Sequence, residues 1–280
     1  MTKLIALLAV FLVVALAITA AASWITKKKA PLALAAGRTP AAITQSEESK
    51  VMFRALLRTV AGAVFAVVMF AALLRVTIGM SEQQVLPIAL TAGLSASGGL
   101  LLYSALPAAQ LPEAAAARPL LSRRAGILPA AVFTVFVVFV VAGFALPQYF
   151  PDRNDGVALL ALSLALLGAT GLVLHRLRTT VSLQDPRMAA LDRRWREISA
   201  ANMVRFGTGA LMACFGAAAA LMGTAPGGAA QAGVPILATA VLVASGASAG
   251  AGVVLLVLAA RGALTIRTKV REGAPAPITA

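Results

Sequence analysis

The stretch "DPRMAALDRRWREISAANMVR", from Asp185 to Arg205, decides how this chain is laid out. With the ten residues before it, it forms a polar interruption from His175 to Arg205 that carries seven arginines: Arg176, Arg178, Arg187, Arg193, Arg194, Arg196 and Arg205. Strongly apolar runs flank it on both sides. Guanidinium groups resist transfer into hydrocarbon, so such a block stays on the side of a membrane where it is made. Once its side is assigned, every other loop follows by alternation.

The flanking runs set the class. Hydrophobic residues make up 60% of the 280 and charged residues 12%, about half the charge of an ordinary soluble domain. Runs of about 20 apolar residues recur, each able to cross roughly 30 Å of hydrocarbon at about 1.5 Å per residue. Open sheet edges cannot face lipid, and no run alternates as a barrel strand does. The expectation is an all-α, polytopic transmembrane helix bundle. A net charge of +14 would suggest nucleic acid in a soluble chain. Here the cations are scattered over four loops with few aromatics between them, so nucleic acid is not an expected partner. The single cysteine, Cys214, excludes an intrachain disulfide and a cysteine-built metal centre.

Outward from the arginine block, the pattern predicts seven spans. Residues 1–24 read as an uncleaved anchor: "AITAAAS" resembles a signal-peptide cleavage region, but Lys27, Lys28, Lys29 and Arg38 follow at once. Residues 25–51 form a cytoplasmic loop and a helix start, with Thr44 and Glu47 spaced as a capping box. A six-helix bundle fills 52–260, with spans near 52–78, 85–106, 126–146, 156–174, 206–223 and 234–260. Residues 261–280 are a cytoplasmic tail. With the N-terminus outside and the C-terminus inside, 21 of the 24 cations fall on the cytoplasmic side and only Lys3, Arg75 and Arg153 outside.

A repeat of three hairpins after the anchor is suggested by "SASGGLLLYSAL", "LGATGLVLHRL" and "SAGAGVVLLVLA", which align on Gly99, Gly171 and Gly252. The arginine block itself reads as a helix over 186–205, with Asp185 as N-cap and Pro186 in the first turn. Met188, Leu191, Trp195 and Ile198 give it an apolar stripe. It is either a prolongation of the sixth span or an interfacial helix with Trp195 at headgroup level. The lack of a helix breaker between Pro186 and Phe206 favours the first.

Chemistry-bearing residues are scarce inside the spans. All ten carboxylates fall in loops or at helix ends, and no lysine lies in a span. Ion-coupled carriers usually keep a buried carboxylate or histidine near the midplane. His175, the only histidine, reads as a helix-end residue, and the methionines as packing. No catalytic constellation or phosphate loop can be assembled, so no catalytic residue, metal site or cofactor is expected. Two sets remain. Gly93, Ser97, Gly99, Gly168, Gly171, Gly246 and Gly250 supply small residues for close helix approach. Arg187, Arg193, Arg194, Arg196 and Trp195 offer a cationic surface for anionic lipid or an acidic partner.

With "RPLLSRR" and the 185–205 stretch in view, the chain resembles uncharacterised multi-pass membrane proteins of high-GC Gram-positive bacteria. Those also join Ala/Val-rich hairpins through an arginine-rich loop. The resemblance covers the layout of spans two to seven, implies a bacterial plasma membrane and carries no activity. The reading that follows is a non-enzymatic packing or scaffold subunit with a cationic cytoplasmic docking helix. Its expected partners are membrane lipids, another membrane subunit or a second copy. The alternatives are an uncoupled small-solute or lipid transporter, with a polar cleft near Ser95, Thr170 and Ser245, and then an integral-membrane enzyme.

Overall fold

Apolar runs that cannot leave backbone polar groups unsatisfied in lipid must fold as helices. In the computed structural model, which describes residues 45–77, 85–106, 108–111, 119–147, 150, 153–183, 185, 188–224 and 235–272, all regular structure is helical. The helices are α1 (Gln45–Thr77), α2 (Val85–Ala105), α3 (Ile127–Ala145, after a 3-10 turn at Arg123–Gly126), α4 (Arg153–Thr179), α5 (Ala189–Thr224), α6 (Pro235–Leu264) and the short α7 (Ile266–Glu272). The first six are long and apolar enough to cross a membrane. The protein is an integral membrane protein. The anchor expected at 1–24 and Thr44 of the capping box lie outside the described residues, so the described bundle has six candidate spans rather than seven.

Helices α4, α5 and α6 run past the spans expected at 156–174, 206–223 and 234–260. Helix α4 continues through His175 and Arg176 to Thr179, with Arg176 and Arg178 in its last turn, where the macrodipole favours cations. The arginine segment and the sixth span are one continuous helix of 36 residues, about 54 Å long at 1.5 Å per residue. Hydrocarbon accounts for only about 30 Å of that length. The helix begins at Ala189, later than the expected Pro186, and the Met188 N–H donates to the Asp185 carbonyl at 3.0 Å just before it.

Helix α5 is the centre of the bundle. Its most apolar window is 67% buried, against 17% for α3 and 22% for α6. It packs most extensively on α6, then on α4, and also touches α2, α3 and α7. Helix α2 is sandwiched between α1 and α4. The main core joins Phe136 and Val140 of α3, Leu159, Leu162 and Leu166 of α4, and Leu211, Cys214 and Ala218 of α5. Aromatic contacts fasten α3 to α5, with Phe139 and Phe215 edge to face at 5.6 Å.

Small residues let backbone meet backbone at two crossings. In the α1/α2 hairpin, a Cβ on Gly99 would lie 2.6 Å from the Gly62 carbonyl oxygen. In the α5/α6 hairpin, a Cβ on Gly252 would lie 2.7 Å from the Gly209 oxygen, and one on Gly216 would lie 2.8 Å from the Ala249 nitrogen. Ser245 and Ser248 of α6 donate to the Gly216 and Met212 carbonyls at 2.8 and 2.9 Å, adding hydrogen bonds between the two helices. Gly93 packs against Leu162, and the Ser97 hydroxyl donates back to the Gly93 carbonyl at 2.8 Å.

Four of the expected packing glycines are placed elsewhere. Gly168, Gly171, Gly246 and Gly250 are exposed, and a Cβ on any of them would meet nothing within 4 Å. On α6 the packed face is Ser245–Ser248–Gly252, one face round from the Gly246/Gly250 pair. The alignment of Gly99 with Gly252 coincides with like crossings in two hairpins. Gly171 has no such crossing, because α4 turns its contacts to α2 and α5 more than to α3.

This packing makes Gly252 and Gly250 a discriminating pair. Gly252→Leu is expected to destabilise the bundle by about 2–3 kcal/mol through overpacking. Gly250→Leu should stay within about 0.5 kcal/mol of the parent. Denaturation of each variant in detergent, followed by helical circular dichroism, checks the contrast.

Candidate functional site at the basic pole

Four separate pieces of chain meet at one end of the bundle. Met52 and Ala55 of α1, Leu183 of the α4–α5 connection, Met188 and Trp195 at the start of α5, and Ile266 and Val270 around α7 form one buried cluster. Polar contacts surround it: Arg271 Nε pairs with Glu48 Oε1 at 3.0 Å, and Arg267 donates to the Ser49 hydroxyl. The ends of α2 and α4 arrive at the same pole, through Tyr103, Val173 and Leu177 with Ala200 of α5. Among the described cations, only those at Arg75 and Arg153 belong to helix ends at the other pole.

A buried ion pair ties this pole together. Asp192, in the first turn of α5, accepts the Ser182 and Leu183 N–H groups with Oδ1, both at 2.7 Å, and Arg196 Nε with Oδ2 at 2.8 Å. The two side chains are 4% and 7% exposed. Arg196 Nη1 reaches the Leu177 carbonyl at 3.4 Å, so the pair connects the last turn of α4, the connection and the first turns of α5. The connection is also clamped to the segment after α2. Val181 N–H donates to the Ala109 carbonyl, and Leu111 N–H to that of Thr179, each at 2.8 Å.

Beside the clamp lies a cleft whose enclosed part measures about 20 Å³, room for roughly one water. Its polar lining is Arg58 of α1, Tyr103 of α2, Arg176 of α4, and Thr180 and Ser182 of the connection, with Trp195 on one wall. Arg176 is held in place: its Nη1 donates to the Ser104 carbonyl, and its guanidinium carbon stands 6.0 Å from the centre of the Tyr103 ring. Arg58 is half-buried and has no ion pair or side-chain hydrogen bond among the described residues. Among the described residues, no carboxylate lines the cleft.

The docking set expected from sequence is therefore divided. Trp195, 2% exposed, and Arg196, 6% exposed, face the protein interior, because the stripe of Met188, Leu191, Trp195 and Ile198 packs against α1 and α7 rather than lipid. Arg193 is exposed and paired with Glu197 at 2.8 Å, Arg194 is exposed, and Arg187 lies outside the described residues. Ser95, Thr170 and Ser245, around which a polar cleft was conceivable, are buried with their hydroxyls on the Thr91, Leu166 and Gly216 carbonyls. On sequence alone Arg58 reads as an arginine snorkelling to the headgroups near its helix entry, and Asp192 as one of the loop or helix-end carboxylates. The one signal available for the ion pair was the i, i+4 spacing of Asp192 and Arg196 beside Trp195.

Compared with known proteins, the chain matches no family model, no curated protein and no solved structure.

Removing one member of a buried ion pair strands the other without a partner, at a typical cost of about 3–5 kcal/mol. Asp192→Ala is expected to fall in that range and to loosen the connection before α5. Equilibrium denaturation measures the first effect, and faster tryptic cleavage after Arg178 reports the second. Exposed Arg193→Ala should change stability by less than about 1 kcal/mol.

Proposed function

We propose that this chain is a non-enzymatic packing subunit of a membrane assembly, with its basic pole on the cytoplasmic side of a bacterial plasma membrane. One observation carries the reading. Helix α6 stands at the edge of the bundle, packed on α5 and α7, while its outward face presents Gly246 and Gly250 four residues apart with nothing within 4 Å. Val243, Val253, Val254 and Val257 are exposed on the same helix.

Lipid tails are as apolar as these side chains, so burying them gains little from the hydrophobic effect. A ridge lowered by two glycines lets a partner helix approach closely and gain dispersion contacts and Cα–H···O contacts that mobile tails match poorly. The partner is a further membrane helix, from another subunit or a second copy. Membrane lipids cover the remaining apolar faces, such as that of α3. The cytoplasmic assignment rests on the cation asymmetry between the two poles, and the bacterial setting on the resemblance in layout.

Native mass spectrometry after extraction in mild detergent tests the packing role. Gly246→Leu and Gly250→Leu together should reduce a co-purifying partner or dimer at least tenfold without loss of folded monomer. An unchanged assembly would remove the proposal. Arg194→Cys tests the orientation, since the native Cys214 is buried. A membrane-permeant maleimide should label the variant in intact cells and an impermeant one should not. Labelling by the impermeant reagent would reverse the topology.

A further inference from the structure

We propose that the cleft between Arg58 and Arg176 is a seat for a phosphate-type anion at the basic pole. Two guanidinium groups from helices distant in sequence line one small cleft, and among the described residues that line it none is acidic. The carboxylate of Asp192 is occupied by two backbone N–H groups and by Arg196. Its charge is balanced before it can serve the cleft. Two partly desolvated cations facing one space repel each other unless an anion lies between them.

The other lining groups suit an oxyanion. Ser182 carries a hydroxyl and Tyr103 a phenol that can donate to phosphate oxygens, while the Thr180 hydroxyl donates to the Arg176 carbonyl at 2.9 Å. Arg176 is preorganised by its bond to the Ser104 carbonyl and by the Tyr103 ring, so little side-chain freedom is lost on binding. Arg58 is the unengaged arm. The enclosed volume holds about one water, so the anion sits at the mouth with its oxygens directed inward. The cleft lies between the last turns of α2 and α4 and a point about a third of the way along α1. A phosphate there comes either from an anionic phospholipid headgroup or from a free phosphate compound.

The seat uses none of the residues of the α6 outer face, so it and the packing role stand or fall separately. The experiment uses the full chain, purified, delipidated and held in an uncharged detergent. Short-chain phosphatidylglycerol and inorganic phosphate are titrated separately while the thermal unfolding midpoint is followed. Wild type should show a saturable rise with at least one of them. Saturation by inorganic phosphate assigns a free anion as sufficient, and a response to phosphatidylglycerol alone assigns the headgroup. Arg58→Gln breaks no hydrogen bond or ion pair among the described residues and should weaken the response at least tenfold. Arg176→Gln should do the same, and Arg124→Gln, outside the cleft, should behave as wild type. No rise in wild type with either probe, or an Arg58→Gln variant that responds as wild type does, would overturn the seat.

Discussion

The bundle depends on how closely two backbones can approach inside hydrocarbon. Water drives no association between helices there, so their contacts must outdo those that lipid already makes. Helix α5 meets this constraint by being thin. Gly207, Gly209 and Gly216 lie where Thr170, Gly252 and Ala249 press against them, and the run Ala217–Ala220 keeps the rest of that surface low. A narrow helix can be surrounded, and α5 packs on α2, α3, α4, α6 and α7, with its first turns also against α1. The same device recurs at Gly62 and Gly99, where α1 and α2 cross. Helix α3 uses the opposite one, keying Phe136 and Phe139 against Phe215.

Because α5 is longer than the hydrocarbon is thick, its first turns leave the apolar zone and need another reason to stay packed. Water is available there, so ordinary hydrophobic burial works again. Met52, Met188, Trp195 and Val270 gather into a core that a water-soluble domain would recognise. Asp192 then satisfies the amides of Ser182 and Leu183, which have left α4 and not yet entered α5. The arginine segment is thereby a structural junction first. Its position decides which guanidinium groups remain for outside chemistry: Arg196 is consumed by the junction, whereas Arg58 and Arg176 are left facing one cleft.

Much of this fold is legible in the sequence, and what is not has a physical reason. Span positions follow from length and apolarity, and the spans expected at 85–106 and 126–146 end within a residue or two of α2 and α3. The continuity of Pro186–Phe206 with the next span was readable from the missing helix breaker, although the helix starts at Ala189. The inward face of each span was not readable. In a soluble helix polar residues mark the outside, but in a membrane both faces are apolar and periodicity carries little direction. Helix α6 shows the consequence, since Gly246/Gly250 and Ser248/Gly252 have the same spacing and only the second pair meets α5. Trp195 is ambiguous for a related reason: an amphipathic stripe flanked by arginines looks the same whether it faces headgroups or, as here, a neighbouring helix.

Arg58 and Arg176 carry that ambiguity one step further. Each, alone, reads as an ordinary arginine, Arg58 snorkelling from within α1 and Arg176 placed in the last turn of α4. Their meaning changes only when the crossing of α1 over α2, set by Gly62 and Gly99, and the packing of α4 on α2 bring both to one cleft. A glycine crossing within the apolar zone thus helps fix the distance between two charges at its edge. Widening that crossing with a larger residue would separate the guanidinium groups as well as loosen the hairpin. The electrostatics of the pole are in this sense a product of backbone packing in the membrane, which is why local sequence around either arginine gives no hint of them.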